Sequence, residues 1–151
     1  MLSRSAVFIT FLLYCLCLAC NSSSMSNECR EFFSLPASQR EKLFITYSLD
    51  DQLSIYRCGM NRRPPDTYLA NYIADRGEAA IPVLLTKLEI DKDELTQLAI
   101  VNIFEMMSVK GHLRNRADVI SRIRQVVTRM QVSVLRGRAE ESLTRIEQDD
   151  K

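Results

Sequence analysis

The chain has 151 residues, a formal net charge of +1, 46% hydrophobic residues and only four Gly and four Pro. That length suggests one domain, and near-neutrality names no partner through bulk electrostatics. So few turn-forming residues disfavour a many-turned β fold and disorder, while plentiful Leu, Ile, Met, Ala, Arg and Glu suit helices.

Residues 1–19 stand apart from the rest. Arg4 is the single charge ahead of an uncharged run, Ala6 to Ala19, which reads AVFITFLLYCLCLA; polar NSSSMSN follows Cys20. A membrane-spanning helix needs about 20 apolar residues, so this run has the length of a secretory signal. Cys17-Leu18-Ala19-Cys20 resembles the lipobox that ends the signal peptide of bacterial lipoproteins. The resemblance covers residues 1–24. It implies cleavage before Cys20, diacylglycerol on the Cys20 thiol, and a mature chain that begins there. Cys17 stands where that family carries Leu, and Leu18 where it carries a small residue. Asn21, rather than Asp, implies passage to the outer membrane in a Gram-negative cell. Two acyl chains hold a membrane stably where one is marginal. The alternative reading is a plain signal peptide cut near Ala19, or an uncleaved anchor. Residues 20–27 then read as a flexible tether and residues 28–151 as one helical domain.

Cysteine usage fits an exported chain. Of five Cys, Cys15 and Cys17 lie in the leader and Cys20 is the lipidation candidate, which leaves Cys29 and Cys58. An exported compartment is oxidising, so an even pair suggests a disulfide. Its loop of about 30 residues would contribute roughly 3–4 kcal/mol in the chain-entropy model. Two unrelated buried thiols are the alternative, because spacing alone does not establish proximity. Loss of the leader removes Arg4 and no acid, leaving 19 basic against 19 acidic residues.

The body reads as about six helices. Residues 27–35 form a lead-in with a turn at Cys29–Phe33, and Pro36 fits the first turn of a helix. Gln39 to Tyr47 places Leu43, Phe44 and Tyr47 on one face. Ser48 is an N-cap for Asp50 to Cys58, with two acids in the first turn and Gly59 as the stop. Asn61-Arg62-Arg63-Pro64-Pro65 is a break, since the residue before Pro avoids the helical region. Asp66 to Arg76 buries Tyr68, Leu69, Tyr72 and Ile73, with Gly77 as its C′ residue. Glu78 to Glu89 carries Ile81, Leu84, Leu85 and Leu88 at helical spacing. Asp91 or Asp93 caps a helix to about Val109 that is apolar almost all round, which marks it as central. Asp118 to Leu135 turns Ile120, Ile123, Val127, Met130 and Val134 inward, and Ala139 to Gln148 continues as a terminal segment after Gly137.

Residues 76–107 resemble a HEAT-type repeat. Ile81-Pro82, Leu84-Leu85 and Leu88 match the first helix of that family, and Leu95, Ala99 and Ile103 match the second; Thr96 stands where the family carries Arg. The resemblance implies antiparallel stacked helix pairs and a protein-binding role, with room for two or three pairs. The fold expectation is all-α, either HEAT-like or an irregular helical bundle.

Catalytic chemistry is hard to place. His112 is the only histidine and reads as an exposed loop residue. The mature chain offers no set of convergent metal ligands, no Gly-rich phosphate loop and no CxxC, so neither metal nor cofactor is expected. An enzyme built on Cys58 and His112 is the one catalytic alternative. One charge pattern rises above background. Lys110 to Arg138 holds eight Lys/Arg and one acid, and Arg122, Arg129 and Arg136 recur every seven residues on one helical stripe. That stripe reads as a basic partner surface, or as a solvated face paired with Glu140, Glu141 and Glu147. Arg62-Arg63-Pro64-Pro65 is a smaller basic spot, read as a loop with helix-start prolines. The expected function is an envelope lipoprotein, not an enzyme, that binds a protein partner; the alternative is a binder or inhibitor of an acidic lipid head group or cell-wall polymer. Nucleic acid is not expected.

Overall fold

The computed structural model describes residues 26–149. The leader 1–19, Cys20 and the tether to residue 25 lie outside the described residues. Within them the chain is all-α, with eight helices and no strand. They are α1 (Asn27–Ser34), α2 (Ala37–Phe44), α3 (Leu49–Met60), α4 (Leu69–Ala74), α5 (Ile81–Ile90), α6 (Glu94–Val109), α7 (Ala117–Val127) and α8 (Ser133–Asp149). A 3₁₀ turn, Gly77–Ala80, leads into α5.

Helix α6 sets the arrangement. Leu98, Ala99, Ile100, Val101, Ile103, Phe104 and Met107 are all buried, and they point in every direction around its axis. Such a helix must be covered on all sides, and α3, α4, α5 and α8 pack against it. Helix α7 packs on α5 and α8, and α1 packs on α3. One apolar cluster draws residues from all eight helices. The start of α6 is anchored by Asp93. One of its carboxylate oxygens accepts from the Thr96 amide at 3.1 Å, the Thr96 hydroxyl at 2.7 Å and Arg57 Nε of α3 at 2.6 Å. Buried Gln52 joins α3 to its neighbours. Its amide donates to the Phe44 carbonyl and its oxygen accepts from Arg76, both at 2.7 Å.

Several helix boundaries depart from expectation, two of them here for reasons outside local sequence. The lead-in is a true two-turn helix, α1, capped by the Ser26 hydroxyl, which accepts from the Cys29 amide. The long helix over Asp118–Leu135 is instead two helices. Helix α7 stops at Val127, and Glu94 of α6 accepts hydrogen bonds from the amides of Gln131 and Val132 at 2.5 and 2.8 Å. These two amides therefore point at a carboxylate from another helix rather than continuing the α7 ladder. Gly137 breaks nothing and sits inside α8 with open space around it. Val134, expected inward, is 66% exposed.

Phe104→Ala is expected to lower stability by about 3–5 kcal/mol, because the cavity opens beside α6 where nothing can collapse into it. Chemical denaturation checks this; a loss below about 1 kcal/mol is incompatible with such packing. Asp93 generates a pH prediction. Burial opposes its charge, but Arg57 and Thr96 hold its pKa below the ordinary carboxylate value. Its contribution is therefore complete above about pH 3.9 and is lost as the pH falls through the lower folded value. The stability difference between the wild type and Asp93→Asn should shrink as acid is added across that window; a constant difference would contradict the cap's charge dependence.

Candidate functional site

The three stripe arginines do not share a helix. Arg122 lies on α7, Arg129 in the loop after it, and Arg136 on α8, because the chain breaks between them. Arg122 is taken by Glu89 of α5 through two hydrogen bonds of 2.7 Å. That contact, first of all, holds the Glu89 pKa low. Arg136 lies 3.7 Å from Glu140 and also donates to the Met130 carbonyl. Arg124, on the other side of α7, pairs with Glu147 of α8. Two of the three candidate guanidiniums are thus occupied by acids of the chain itself; Arg129 is exposed, and among the described residues no carboxylate is bonded to it.

Cys29 and Cys58 stand as a pair at disulfide distance, with Cα atoms 6.4 Å apart. The link joins α1 to α3 near the end of α3. His112 is half-buried rather than exposed. Its ring packs over Gly77, where φ is +64°, a backbone conformation that favours glycine. Cys58 and His112 therefore have separate surroundings. Among the described residues no group of three or more His, Cys, Asp or Glu could hold a metal ion, and no helix is long and apolar enough to cross a membrane.

The structure assembles a different site, where α2 faces the loop between α3 and α4. Here Gly59 does not end its helix, as its sequence position suggested; α3 continues to Met60. Gly59 is needed for close approach. A Cβ there would stand 2.9 Å from Cζ of Phe33 and 3.3 Å from the Asp66 carbonyl oxygen. The Asp66 amide folds back to the Gly59 carbonyl at 3.0 Å, and its carboxylate accepts from Arg40 at 3.0 Å. These bonds keep residues 64–67 out of the helix, so α4 begins at Leu69 and not at Asp66. The two prolines lie in this loop, away from any helix start, and the Arg63–Pro64 peptide is cis.

The result is a cleft of two adjoining hollows. The first, of about 300 Å³, is lined by Ala37, Ser38, Arg40, Glu41, Asp66, Tyr68, Leu69 and Tyr72. The second, of about 340 Å³, is lined by Arg40, Arg62, Arg63, Pro64, Pro65, Asp66, Thr67 and Tyr68. An aromatic series runs beneath them: Phe33 on Phe32 at 5.1 Å, Phe32 on Phe44 at 5.9 Å, Phe44 on Tyr72 at 6.1 Å and Tyr72 on Tyr68 at 5.2 Å. Arg62 lies over the Phe33 ring at 4.3 Å and Arg40 at 5.6 Å, both within cation–π range. Tyr68, expected inside, is 62% exposed on the rim. Arg40 Nε and the Tyr72 hydroxyl are buried with no hydrogen-bond partner. Burial, then the nearby Tyr68 and Glu41, pushes the Tyr72 pKa up, although neither neighbour completes a hydrogen bond with it. Buried polar atoms without partners are rare and costly, and these two belong to residues that line the first hollow.

In comparisons with known proteins, no family model matches the chain, and no curated protein or solved structure matches it significantly.

Sequence reasoning named Arg62 and Arg63 but not Arg40, Phe33 or the rim role of Tyr68. The signal was the double proline followed by Asp66, Thr67 and Tyr68, which leaves an aromatic residue on a stretch that cannot coil. Gly59→Ala should cost about 1–3 kcal/mol by forcing Phe33 and the Asp66 carbonyl apart. The cost should fall in a Phe33→Ala background, because the ring that the new methyl meets is gone. A double-mutant cycle measures this, and strict additivity would mean that the Gly59–Phe33 approach does not shape the loop.

Proposed function

We propose that this chain is a lipid-anchored envelope lipoprotein, attached through Cys20, whose helical body binds another envelope protein through the cleft between α2 and the 61–68 loop. Its location is the outer membrane, facing the periplasm. The observation that carries the binding role is the cleft itself: a concavity with an exposed aromatic rim, arginines and partnerless buried polar atoms. Aromatic residues and Arg are the side chains that dominate binding hot spots.

The body reads as three stacked helix pairs, α3–α4, α5–α6 and α7–α8. Support comes from the packing within each pair, from α4 and α8 both packing on α6, and from α5 on α7. This is the layered order of a HEAT-like array, a fold type suited to protein binding. The anchor is supported by the lipobox-like sequence at Cys17–Cys20, and an oxidising location by the pairing of Cys29 with Cys58. With Arg122 and Arg136 occupied by Glu89 and Glu140, the stripe gives way to the cleft as the binding surface. The alternative ligand, an acidic head group or polymer, is favoured by one feature: no carboxylate is bonded to Arg62 or Arg63 among the described residues.

Mass spectrometry of the protein purified from native membranes should find a diacylated N-terminal peptide beginning at Cys20. Photo-crosslinkers at Tyr68 and at Arg129 should separate the surfaces, with one recurrent envelope protein captured from Tyr68 only. An unmodified N-terminus would remove the anchor, and capture from Arg129 alone would move binding to the other face.

A further inference from the structure

We infer that the cleft takes an extended peptide segment in which an acidic side chain lies within two positions of an apolar or aromatic one. This names the chemistry of the partner and rests on the reading of the body as a protein-binding module. The two hollows differ in a way that assigns their contents. The second faces three guanidiniums, Arg40, Arg62 and Arg63, against the single carboxylate of Asp66, which Arg40 already holds. Arg63 is exposed and Arg62 is stacked on Phe33, and among the described residues no carboxylate is bonded to either. A planar fork of N–H donors fixed over a ring is preorganised for a carboxylate. The first hollow carries two carboxylates, Glu41 and Asp66, with Arg40 as its one cation, so it repels a second acid, and its walls of Tyr68, Leu69 and Tyr72 suit an apolar or aromatic side chain.

Because both hollows share Arg40, Asp66 and Tyr68, one ligand can fill them together. An extended chain rises about 3.3 Å per residue, so residues one or two apart reach adjoining hollows. A flat bilayer surface fills neither hollow, and the concave shape favours the peptide over a membrane.

The experiment is selection from a phage-displayed library of random heptapeptides on the mature chain, run in parallel on the wild type, Arg62→Glu and Arg63→Glu. The wild type should enrich peptides with Asp or Glu within two positions of Phe, Tyr, Leu or Ile. Changing the acid to its amide in an enriched peptide should weaken binding about tenfold or more. The Arg63 side chain is exposed and among the described residues makes no hydrogen bond or ion pair, so Arg63→Glu should keep the wild-type thermal midpoint while losing the acidic preference. Enrichment without acidic residues, or unchanged selection by Arg63→Glu, would overturn the inference. So would absent enrichment together with Arg63-dependent flotation on phosphatidylglycerol vesicles, which assigns the arginines to a membrane. These outcomes are separable from the wider reading: crosslinking of an envelope protein from Tyr68 while the library shows no acidic preference leaves the binding module and removes only its ligand chemistry.

Discussion

A helix that is dry on nearly every side imposes the plan of this protein. Helix α6 offers little surface to solvent, so its neighbours must enclose most of it, and each must bring its own apolar stripe. Helices α3, α4, α5 and α8 do so, and α7 closes against α5 and α8. The enclosure is tied by polar contacts that local pattern does not reveal. Asp93 joins the head of α6 to α3 through Arg57, and Glu94 reaches from the next residue to the start of α8. Ser142 of α8 donates to Asn102 of α6 at 3.1 Å, and Arg145 pairs with Glu105 beside it. The same α6 face meets Tyr56 of α3, whose phenol burial pushes up to about 12.

Helices α1 and α2 stand outside this enclosure, and that is why a cleft forms there. They are short and contribute little to the α6 shell. They are organised through an aromatic series from Phe33 to Tyr68 and through Gly59, which lets the ring of Phe33 approach α3. The loop over residues 61–68 cannot coil through its two prolines, so it stands off the body as a wall. Between that wall and α2, Arg40 and Asp66 bridge the gap without filling it.

Periodicity made the interior legible. The apolar circumference of α6, the Ile81–Leu88 face and the Ser48 cap are read directly from spacing, and Ser48 does accept from the Asp51 amide. What spacing could not reveal were contacts made from elsewhere in the chain. The Glu94 carboxylate, 37 residues before Gln131, marks the break between α7 and α8 and scatters an arginine heptad over three elements. Gly59 looked like a helix stop because glycine usually ends helices; its actual role is set by Phe33, far away in sequence and near in space. Tyr68 looked buried because helical spacing was extended through Asp66, whose amide and side chain are instead drawn to Gly59 and Arg40.

The Cys29–Cys58 pairing also has a mechanical side. It joins the first helix to α3, which packs directly on the central helix. Tension applied at the N-terminal end therefore enters the fold through sulfur and passes to its best-supported layer. Without that route, the same pull would peel α1 and then α2 away one at a time, and the cleft wall would go with them. With it, α1 and α3 bear load as one unit, so the cleft keeps its shape when the body is tugged from the end nearest it.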